Sequence, residues 1–235
     1  MSDPYWSNVT LAMHMDGVNN STTFTDLKGK TVTPYGNAKI STTQSKFGGS
    51  SAYFDGSGDY LSVPNLFGDF GLSDFVFEAW VRLSNSTNGT FFSYFDATSG
   101  SNKRVSFLFT AGNIYLAYQS NSADVGITVI APNILPINEW VFVSASRNNG
   151  VGSIFVNGIM LANGSFNVNI NWNAPLKIGV FNEFDPIYGL LLNGYIDDTR
   201  ITKGVARYTS NFTPPTQAFP NSDVATNTSS MFLVF

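Results

Sequence analysis

Two adjacent carboxylates stand in the middle of one strongly β-forming segment late in the chain. Residues 194–201 read GYIDDTRI, with β-branched and aromatic residues around Asp197 and Asp198. A carboxylate is seldom placed on a half-buried strand unless a metal ion, another cation or an arginine meets it. Side chains alternate along a strand, so we expect these two to point to opposite faces. The segment should pair with the N-terminal strand, Val9–Asp16, which also ends in a carboxylate, and a cation site is expected where the strands meet.

The sequence gives little support for a catalytic site built on these residues. The chain has one histidine, His14, so a Ser-His-Asp triad would have to use it. It lies in the middle of a strand beside Ala12 and close to Asp16, which favours a structural role over that of a base. Asp197 and Asp198, if they point to opposite faces, cannot flank one glycosidic bond.

Composition limits the possible partners. Charged residues make up 12% of the 235 residues, about half the usual share, so Asn, Ser, Thr and Gly must cover the surface. The net charge is -4 and no Lys/Arg cluster occurs, which argues against nucleic acid and against an anionic membrane as partners. There is no cysteine, hence no disulfide or thiol chemistry. The first residues lack the features of a signal peptide, and no apolar run is long enough to span a bilayer.

Extended segments separated by turn residues recur at a spacing of roughly 8–12 residues, which predicts a β-sandwich or barrel. Phe75–Leu83 is the clearest strand, with its odd-numbered residues facing the core and its even-numbered residues opposite. Asn157-Gly158 is the strongest hairpin signal. Residues 51–54 and 60–63 are predicted to form another hairpin across an Asp- and Gly-rich turn. The best helical candidate is a single turn at 205–208.

The last twenty residues differ from the rest. Residues 1–215 are predicted to form one β-sandwich, and residues 216–235 a polar C-terminal tail or docking arm. Five apolar residues left in water would make an aggregation-prone end, so we expect them to be buried on this domain or against a neighbouring subunit. These partner-docking residues are Met231, Phe232, Leu233, Val234 and Phe235.

Seven segments, in order along the chain, resemble the laminin G-like jelly rolls of the concanavalin A-like lectin and glucanase superfamily. They read LAMHMDG (11–17), SAYFDGSGDYL (51–61), FVFEAWV (75–81), EWVFV (139–143), IFVNG (154–158), LKIG (176–179) and GYIDDTRI (194–201). The resemblance implies an all-β, laminin G-like jelly-roll sandwich of two antiparallel sheets. It leaves function open, because the superfamily holds lectins, glucanases and pure interaction modules.

A narrower resemblance is to laminin G-like domains of tailed-bacteriophage virion proteins. Its carriers are DPYW (3–6), STTFTD (21–26), QSKFGG (44–49), and ITKGVARY (201–208) through FTPP (212–215). It implies a non-enzymatic virion surface protein, either a head decoration or a tail component, that passes through the host cytoplasm before assembly. Other virion proteins would be its partners, cell-surface glycans its candidate ligands and a homo-oligomer one arrangement. The alternative reading is a free carbohydrate-binding module of a bacterial surface system.

The superfamily resemblance also implies a structural Ca²⁺. Many members bind it through an aspartate of the last strand together with backbone carbonyls. By motif position Asp197 is the matching residue, and Asp16 could join it as a second ligand. The competing interpretation is that Asp197 caps turn amides and that Asp198 pairs with Arg200 or Arg207.

A glucanase-like glycoside hydrolase is the third reading. Glucanases of the superfamily carry paired carboxylates on one strand. The best match here is Glu183-Phe184-Asp185, but Ile187 and Tyr188 follow where a second glutamate is needed. We therefore expect no enzymatic activity.

A lectin-like ligand would stack on outward-facing aromatic side chains of the middle strands. The candidates for glycan binding are Trp80, Tyr94, Tyr115, Tyr118 and Trp172.

Overall fold

The structure, a computed structural model of the 235-residue chain, describes residues 2–64, 70–96, 103–119, 126–182 and 189–222.

Fifteen strands and one three-residue 3-10 turn, Trp6–Asn8, make up the regular structure of these residues. The chain has neither helix nor strand at 205–208, so the predicted helical turn there is wrong. The strands are β1 (Val9–Met13), β2 (Thr33–Tyr35), β3 (Lys39–Ser41), β4 (Ser51–Asp55), β5 (Tyr60–Val63), β6 (Phe75–Leu83), β7 (Asn88–Asp96), β8 (Lys103–Thr110), β9 (Asn113–Gln119), β10 (Ile127–Pro132), β11 (Trp140–Asn148), β12 (Val151–Val156), β13 (Ile159–Ser165), β14 (Leu176–Ile178) and β15 (Asn193–Lys203).

The strands form two antiparallel sheets packed face to face, which confirms the predicted jelly-roll sandwich. The eight-stranded sheet has the order β13-β12-β11-β6-β15-β4-β3, with β1 also pairing with β15. The seven-stranded sheet has the order β10-β9-β8-β7-β14-β5-β2. The predicted pairing of the late acidic strand with the N-terminal strand is confirmed by the register of Leu11 with Ile201 and of Met13 with Thr199.

The turn residues predicted two hairpins, of which the structure confirms one. Asn157 and Gly158 both have positive φ, 49° and 77°, and join β12 to β13 as a tight hairpin. The predicted hairpin between residues 51–54 and 60–63 is wrong, because β4 and β5 belong to different sheets. The buried carboxylate of Asp59 accepts hydrogen bonds from the amides of Asp55 at 2.8 Å and Asn37 at 2.5 Å, and so fixes a crossover between the sheets.

One apolar core fills the space between the sheets. The five odd-numbered residues of β6 all lie in it, as alternation predicts. The opposite face of β6 is also buried, because a second apolar cluster covers it. Trp80, Phe142 and Phe219 form its buried part, and Phe47 and Phe212 pack against them.

The coverage comes from distant segments of the chain. Phe47 belongs to the loop between β3 and β4, and Phe212 and Phe219 follow β15. Phe219 lies within the predicted tail, and its neighbour Ser222 accepts a hydrogen bond from the amide of Asp3 at 2.9 Å. The residues described up to 222 therefore pack on the sandwich. The predicted docking residues, Met231–Phe235, lie outside the described residues.

Candidate functional site

A β-bulge changes the faces predicted for the acidic strand β15. Its register against β6 shifts between Asp197 and Arg200, and Asp198 has a positive φ of 47°. The extra residue brings Ile196 and Ile201 both into the core. Asp197 and Asp198 are both fully buried on the outer side of the sheet, so the prediction that they point to opposite faces is wrong.

Asp197 holds the loop that precedes β4. Its Oδ2 accepts hydrogen bonds from the amides of Lys46 at 2.7 Å and Phe47 at 3.1 Å. Its Oδ1 is buried and has no hydrogen-bond partner in the described part of the chain. Burial is the main reason why the pKa of Asp197 rises to about 7.

The predicted calcium ligands lie beside the same loop. Asp16 is exposed, and its carboxylate lies so close to Gly48 that a Cβ there would collide with it. Among the described residues no group of three or more His, Asp or Glu side chains is arranged to hold a metal ion. The unpartnered Oδ1 of Asp197 nevertheless fits a site built from one or two carboxylates and several carbonyl oxygens.

His14 and Asp198 are hydrogen-bonded at the seam between β1 and β15. The His14 Nδ1 lies 2.6 Å from the Asp198 Oδ1, and this hydrogen bond raises the pKa of His14. The other carboxylate oxygen of Asp198 accepts a hydrogen bond from the Phe219 amide at 2.6 Å. The predicted partners of Asp198, the two late arginines, make their ion pairs elsewhere. His14 thus has the structural environment that the sequence favoured.

The two late arginines anchor a buried polar network on the outer side of the eight-stranded sheet. Arg200 donates to Glu78 at 2.7 Å and to Asp3 at 2.9 Å. Arg207 binds both carboxylate oxygens of Asp3, at 2.9 and 2.7 Å, and the Tyr208 hydroxyl donates to Glu78 at 2.7 Å. Burial opposes the charge of Arg200, but Glu78 raises its pKa above the ordinary value. Within this network each guanidinium and each carboxylate has a partner of opposite charge.

The outer face of the seven-stranded sheet is different, because a row of mostly small side chains crosses all seven strands. Neighbouring strands lie about 4.8 Å apart, so the row is about 29 Å long. Seven residues in register form this floor: Thr128, Ala117, Ser106, Ser93, Lys177, Ser62 and Thr33.

A groove of about 460 Å³ lies over one end of this floor. One wall is formed by Phe181, whose carbonyl accepts a hydrogen bond from the buried Ser93 hydroxyl at 3.0 Å. Tyr115 and Ile130 line the opposite side, and Arg104 closes the groove with its guanidinium 5.0 Å from the centre of the Phe181 ring. The size and the mixture of apolar and polar groups are those of a small-molecule site.

Three of the five aromatic residues predicted to face a glycan are not available to one. Trp80, Tyr94 and Trp172 are 6%, 0% and 6% exposed. Trp80 points away from the core but is covered by Phe47 and by Lys46, whose Nζ lies 3.8 Å from its ring centre. Their predicted exposure is therefore wrong.

The reason for the error at Tyr94 is a bulge in β7. The register shifts between Thr90 and Phe92, so two successive phenylalanines face inward and the alternation is reversed beyond them. Tyr94 turns into the core, where its hydroxyl donates to the carbonyl of Trp172 at 2.8 Å. Tyr118 also packs against the core, since it lies three residues from Tyr115 on the same strand. Tyr115 alone of the five lines the groove.

Sequence reasoning missed other members of this face. Tyr35 and Tyr60 stack at 4.5 Å between ring centres at the far end of the same floor. Alternation could have placed Tyr60 and Arg104 there, because core residues occupy the first and third positions after each of them along its strand. No local signal places Phe181, which lies in a connection after β14.

No helix among the described residues has the length and apolar character needed to cross a membrane.

Known structures share this architecture. Domain 4 of the extracellular arabinanase AbnA of Geobacillus stearothermophilus, in complex with arabinotriose, superposes with a TM-score of 0.61 at 21% identity over 84% of this chain and 94% of that one. The binding domain of botulinum neurotoxin serotype D matches with a TM-score of 0.60 at 16% identity over 89% of this chain and 49% of that one. This chain thus spans about half of the neurotoxin domain.

A third similar structure is the CBM40 of the Ruminococcus gnavus IT-sialidase bound to α2,3-sialyllactose. Its TM-score is 0.50 at 13% identity, over 59% of this chain and 80% of that one. At these identities the likeness concerns the fold. Comparison with curated proteins gives no sequence match.

A family model settles the membership. The model described as "Concanavalin A-like lectin/glucanases superfamily" (Laminin_G_3) matches residues 55–207, more than half of the 235-residue chain. The matched region runs from the turn after β4 to the segment that follows β15. The chain therefore belongs to the Laminin_G_3 family of the concanavalin A-like lectin/glucanase superfamily.

Proposed function

We propose that this protein is a non-catalytic glycan-binding module whose ligand lies in the groove over the seven-stranded sheet. The observation that carries the proposal is the groove itself, a 460 Å³ depression with a floor of small residues between the side chains of Tyr115 and Phe181. Small floor residues let a flat ring approach the sheet, and aromatic walls supply the apolar contact that sugars make with ring faces. The similar structures include domains in complex with arabinotriose and sialyllactose, which supports a glycan as the ligand class.

The lining of the groove favours binding over hydrolysis. Hydrolysis of a glycosidic bond uses two carboxylates on either side of the scissile bond. The described residues that line the groove include a guanidinium and several hydroxyls but no Asp or Glu. The Glu183-Phe184-Asp185 segment lies outside the described residues. We expect incubation with arabinan, laminarin or agarose to release no reducing ends, and sustained release would refute the non-catalytic reading.

A glycan array followed by calorimetry on the hits tests the binding site. Tyr115→Ala should weaken binding by about tenfold, because stacking and apolar contact with one ring contribute roughly 1–1.5 kcal/mol. The matched control is Tyr53→Ala, since Tyr53 is also half-buried but lies on the outer face of the other sheet. Equal losses from both substitutions, or a loss from the control alone, would place the site elsewhere.

A structural calcium ion is a separate proposal. Asp197 would hold it through the Oδ1 that has no partner in the described part of the chain, and Asp16 would contribute a second carboxylate. A divalent cation there would favour the charged form of a carboxylate whose burial otherwise opposes ionisation.

A location on the surface of a phage virion, among other virion proteins, is proposed from the sequence resemblance. Several of the segments that carry it meet on the outer side of the eight-stranded sheet, where Asp3 binds Arg207 and Asp197 binds the amide of Lys46. Electron microscopy of the source particle tests the location. Deleting residues 229–235 should then abolish incorporation while the sandwich stays folded, and full incorporation of the shortened chain would refute the docking arm.

A further inference from the structure

Arg104 is the arginine whose charge has no partner among the residues that the structure describes. It lies on β8, in register with Phe95 on one side and Gln119 on the other, and is half-buried. It has no hydrogen-bond or ion-pair partner among the residues that the structure describes, and its guanidinium lies 5.0 Å from the centre of the Phe181 ring. Burial lowers the pKa of Arg104, so holding this guanidinium in the groove costs free energy.

The other arginines of the chain differ. Arg82 donates to a side-chain amide oxygen, Arg147 to three backbone carbonyls, and Arg200 and Arg207 to carboxylates. The described structure supplies acceptors to these four guanidinium groups and none to Arg104, so the Arg104 donors are available to a ligand.

A second unsatisfied group lies beside it. Ser106 is two residues along the same strand and therefore on the same face, and it lines the groove. It is 0% exposed, and its hydroxyl is without a hydrogen-bond partner in the described structure. Its neighbour in register, Ser93, is equally buried but donates to the carbonyl of Phe181. Several buried polar atoms have no partner in the described structure, and the Ser106 hydroxyl is the one of them that lines the groove beside Arg104. Buried polar groups are usually paired, so this position points to a ligand that pairs both groups.

We propose that this groove binds a carboxylate-bearing sugar, with Arg104 holding the carboxylate and Ser106 contributing a hydrogen bond; the proposal rests on the glycan-binding function above. A guanidinium binds a carboxylate through two parallel N–H···O bonds, and a ring beneath it fixes the plane in which those bonds form. The described lining holds no acidic side chain that would repel such a ligand. The acidic sugar is a uronic acid or another sugar acid, and a sulfated sugar is the competing anion.

The test uses the full chain and three probes of the same length in calorimetry: oligogalacturonate, its methyl ester and a sulfated neutral oligosaccharide. The free acid should bind roughly tenfold to a hundredfold more tightly than its ester, the range expected for hydrogen bonds to a charged group. Tighter binding of the sulfated probe would overturn the assignment of a carboxylate. Equal binding of acid and ester would overturn the acidic-sugar proposal and leave glycan binding intact, and absence of binding to every glycan on an array would overturn both.

Substitutions locate the interaction. Arg104→Gln should abolish the preference for acid over ester, and Arg104→Lys should restore part of it, because lysine keeps the charge but loses the paired donors. Arg82→Gln on the opposite sheet is the matched control and should leave the preference unchanged. Melting curves identify any variant that fails to fold, and Ser106→Ala then provides the second readout, with a smaller loss for the acid than Arg104→Gln. A preference that persists in both groove variants would refute the site.

Discussion

The outer faces of the two sheets both contain polar groups that are partly or fully buried, but they differ in how those groups are paired. On the eight-stranded sheet Glu78 and Arg200 are buried, and each is paired beneath side chains such as Phe219 that come from distant parts of the chain. On the seven-stranded sheet Arg104 and Ser106 are withdrawn from water and, within the described structure, have no polar partner. The charged network of one face is completed by the protein itself, and the other face has the properties of a surface that a ligand completes.

This difference distinguishes polar groups that stabilise the fold from polar groups that are available for binding. A buried charge is strongly stabilised only when all its partners are present, so a closed network reports on stability. A buried donor without a partner reduces stability, and its retention is explained most simply by a use in binding. The four predictions below test this division, beginning with the largest effect.

Breaking the closed network should produce the largest loss. Glu78→Gln removes the carboxylate that faces Arg200 and Tyr208, and leaves a buried guanidinium with reduced compensation. We expect the free energy of unfolding in urea to fall by about 3–5 kcal/mol. The exposed Glu139→Gln is the control and should change it by less than about 0.5 kcal/mol. A loss below about 1 kcal/mol for Glu78→Gln would mean that apolar coverage, rather than the network, holds this face.

Calcium should sharpen the comparison, since it would give a partner to the Asp197 Oδ1, one of the buried atoms on the eight-stranded sheet that have none in the described structure. If Asp197 holds Ca²⁺, binding at a hundredfold excess over Kd stabilises the native state by about 2.7 kcal/mol. The melting temperature should then rise with calcium and fall with chelator. Asp197→Asn should remove the difference, because its amide cannot replace the charged oxygen. Identical melting curves with and without calcium in the original protein would leave Asp197 with its hydrogen-bonding role alone.

Two serines in register on neighbouring strands provide a smaller matched pair. Ser93→Ala should cost about 1 kcal/mol of unfolding free energy, because it removes a buried hydrogen bond to Phe181 and leaves that carbonyl unpaired. Ser106→Ala should be neutral or slightly stabilising without ligand, because that hydroxyl has no partner in the described structure to lose. Urea unfolding of both variants checks this. An equal loss at Ser106 would mean that its hydroxyl is satisfied in solution without a ligand.

The last prediction concerns the pH dependence that Lys177, in the middle of the small-residue floor, contributes to stability. Burial lowers the pKa of Lys177 to about 8, below the ordinary value of 10.5. Between about pH 8 and 10.5 the unfolded chain therefore binds more protons than the folded chain. The contribution of this residue to the free energy of unfolding should rise with pH across that window, with a slope that corresponds to at most one proton. Lys177→Met should flatten that rise when both proteins are unfolded at several pH values. An unchanged slope would assign the rise to other groups.

Much of the architecture follows from local sequence. The alternating pattern of β6 predicted its core face correctly, and Asn157-Gly158 predicted its hairpin, because each signal depends on a few neighbouring residues. The pairing of β15 with β1 was also predicted. The Asp- and Gly-rich turn at residues 55–59 misled the same reasoning. A tight turn and a crossover between sheets use similar residues, and the partner that distinguishes them here, the Asn37 amide, is distant in sequence.

The candidate site was harder to predict, for two physical reasons. Bulges in β7 and β15 each insert one residue and reverse the alternation beyond it, which moved Tyr94 into the core and brought Asp197 and Asp198 to one side. The second reason is that segments distant in sequence cover side chains that point outward. Trp80, for example, faces away from the core but is buried beneath Phe47. Arg104 could have been placed outward by alternation, but nothing local distinguishes it from the paired arginines.

The sequence by itself determined the main strands, the inward face of a strand without a bulge such as β6, and the family, because side-chain alternation and turn preference are properties of a few adjacent residues. Only the tertiary structure decided which polar groups are satisfied. Arg200 and Arg104 both lie on strands beside apolar residues, and their sequences look equally suited to a salt bridge. Arg200 meets Asp3 from the other end of the chain, whereas no described carboxylate reaches Arg104. Whether a charged side chain has a partner depends on which distant segments the packing of the two sheets brings next to it. That packing is a property of the whole chain.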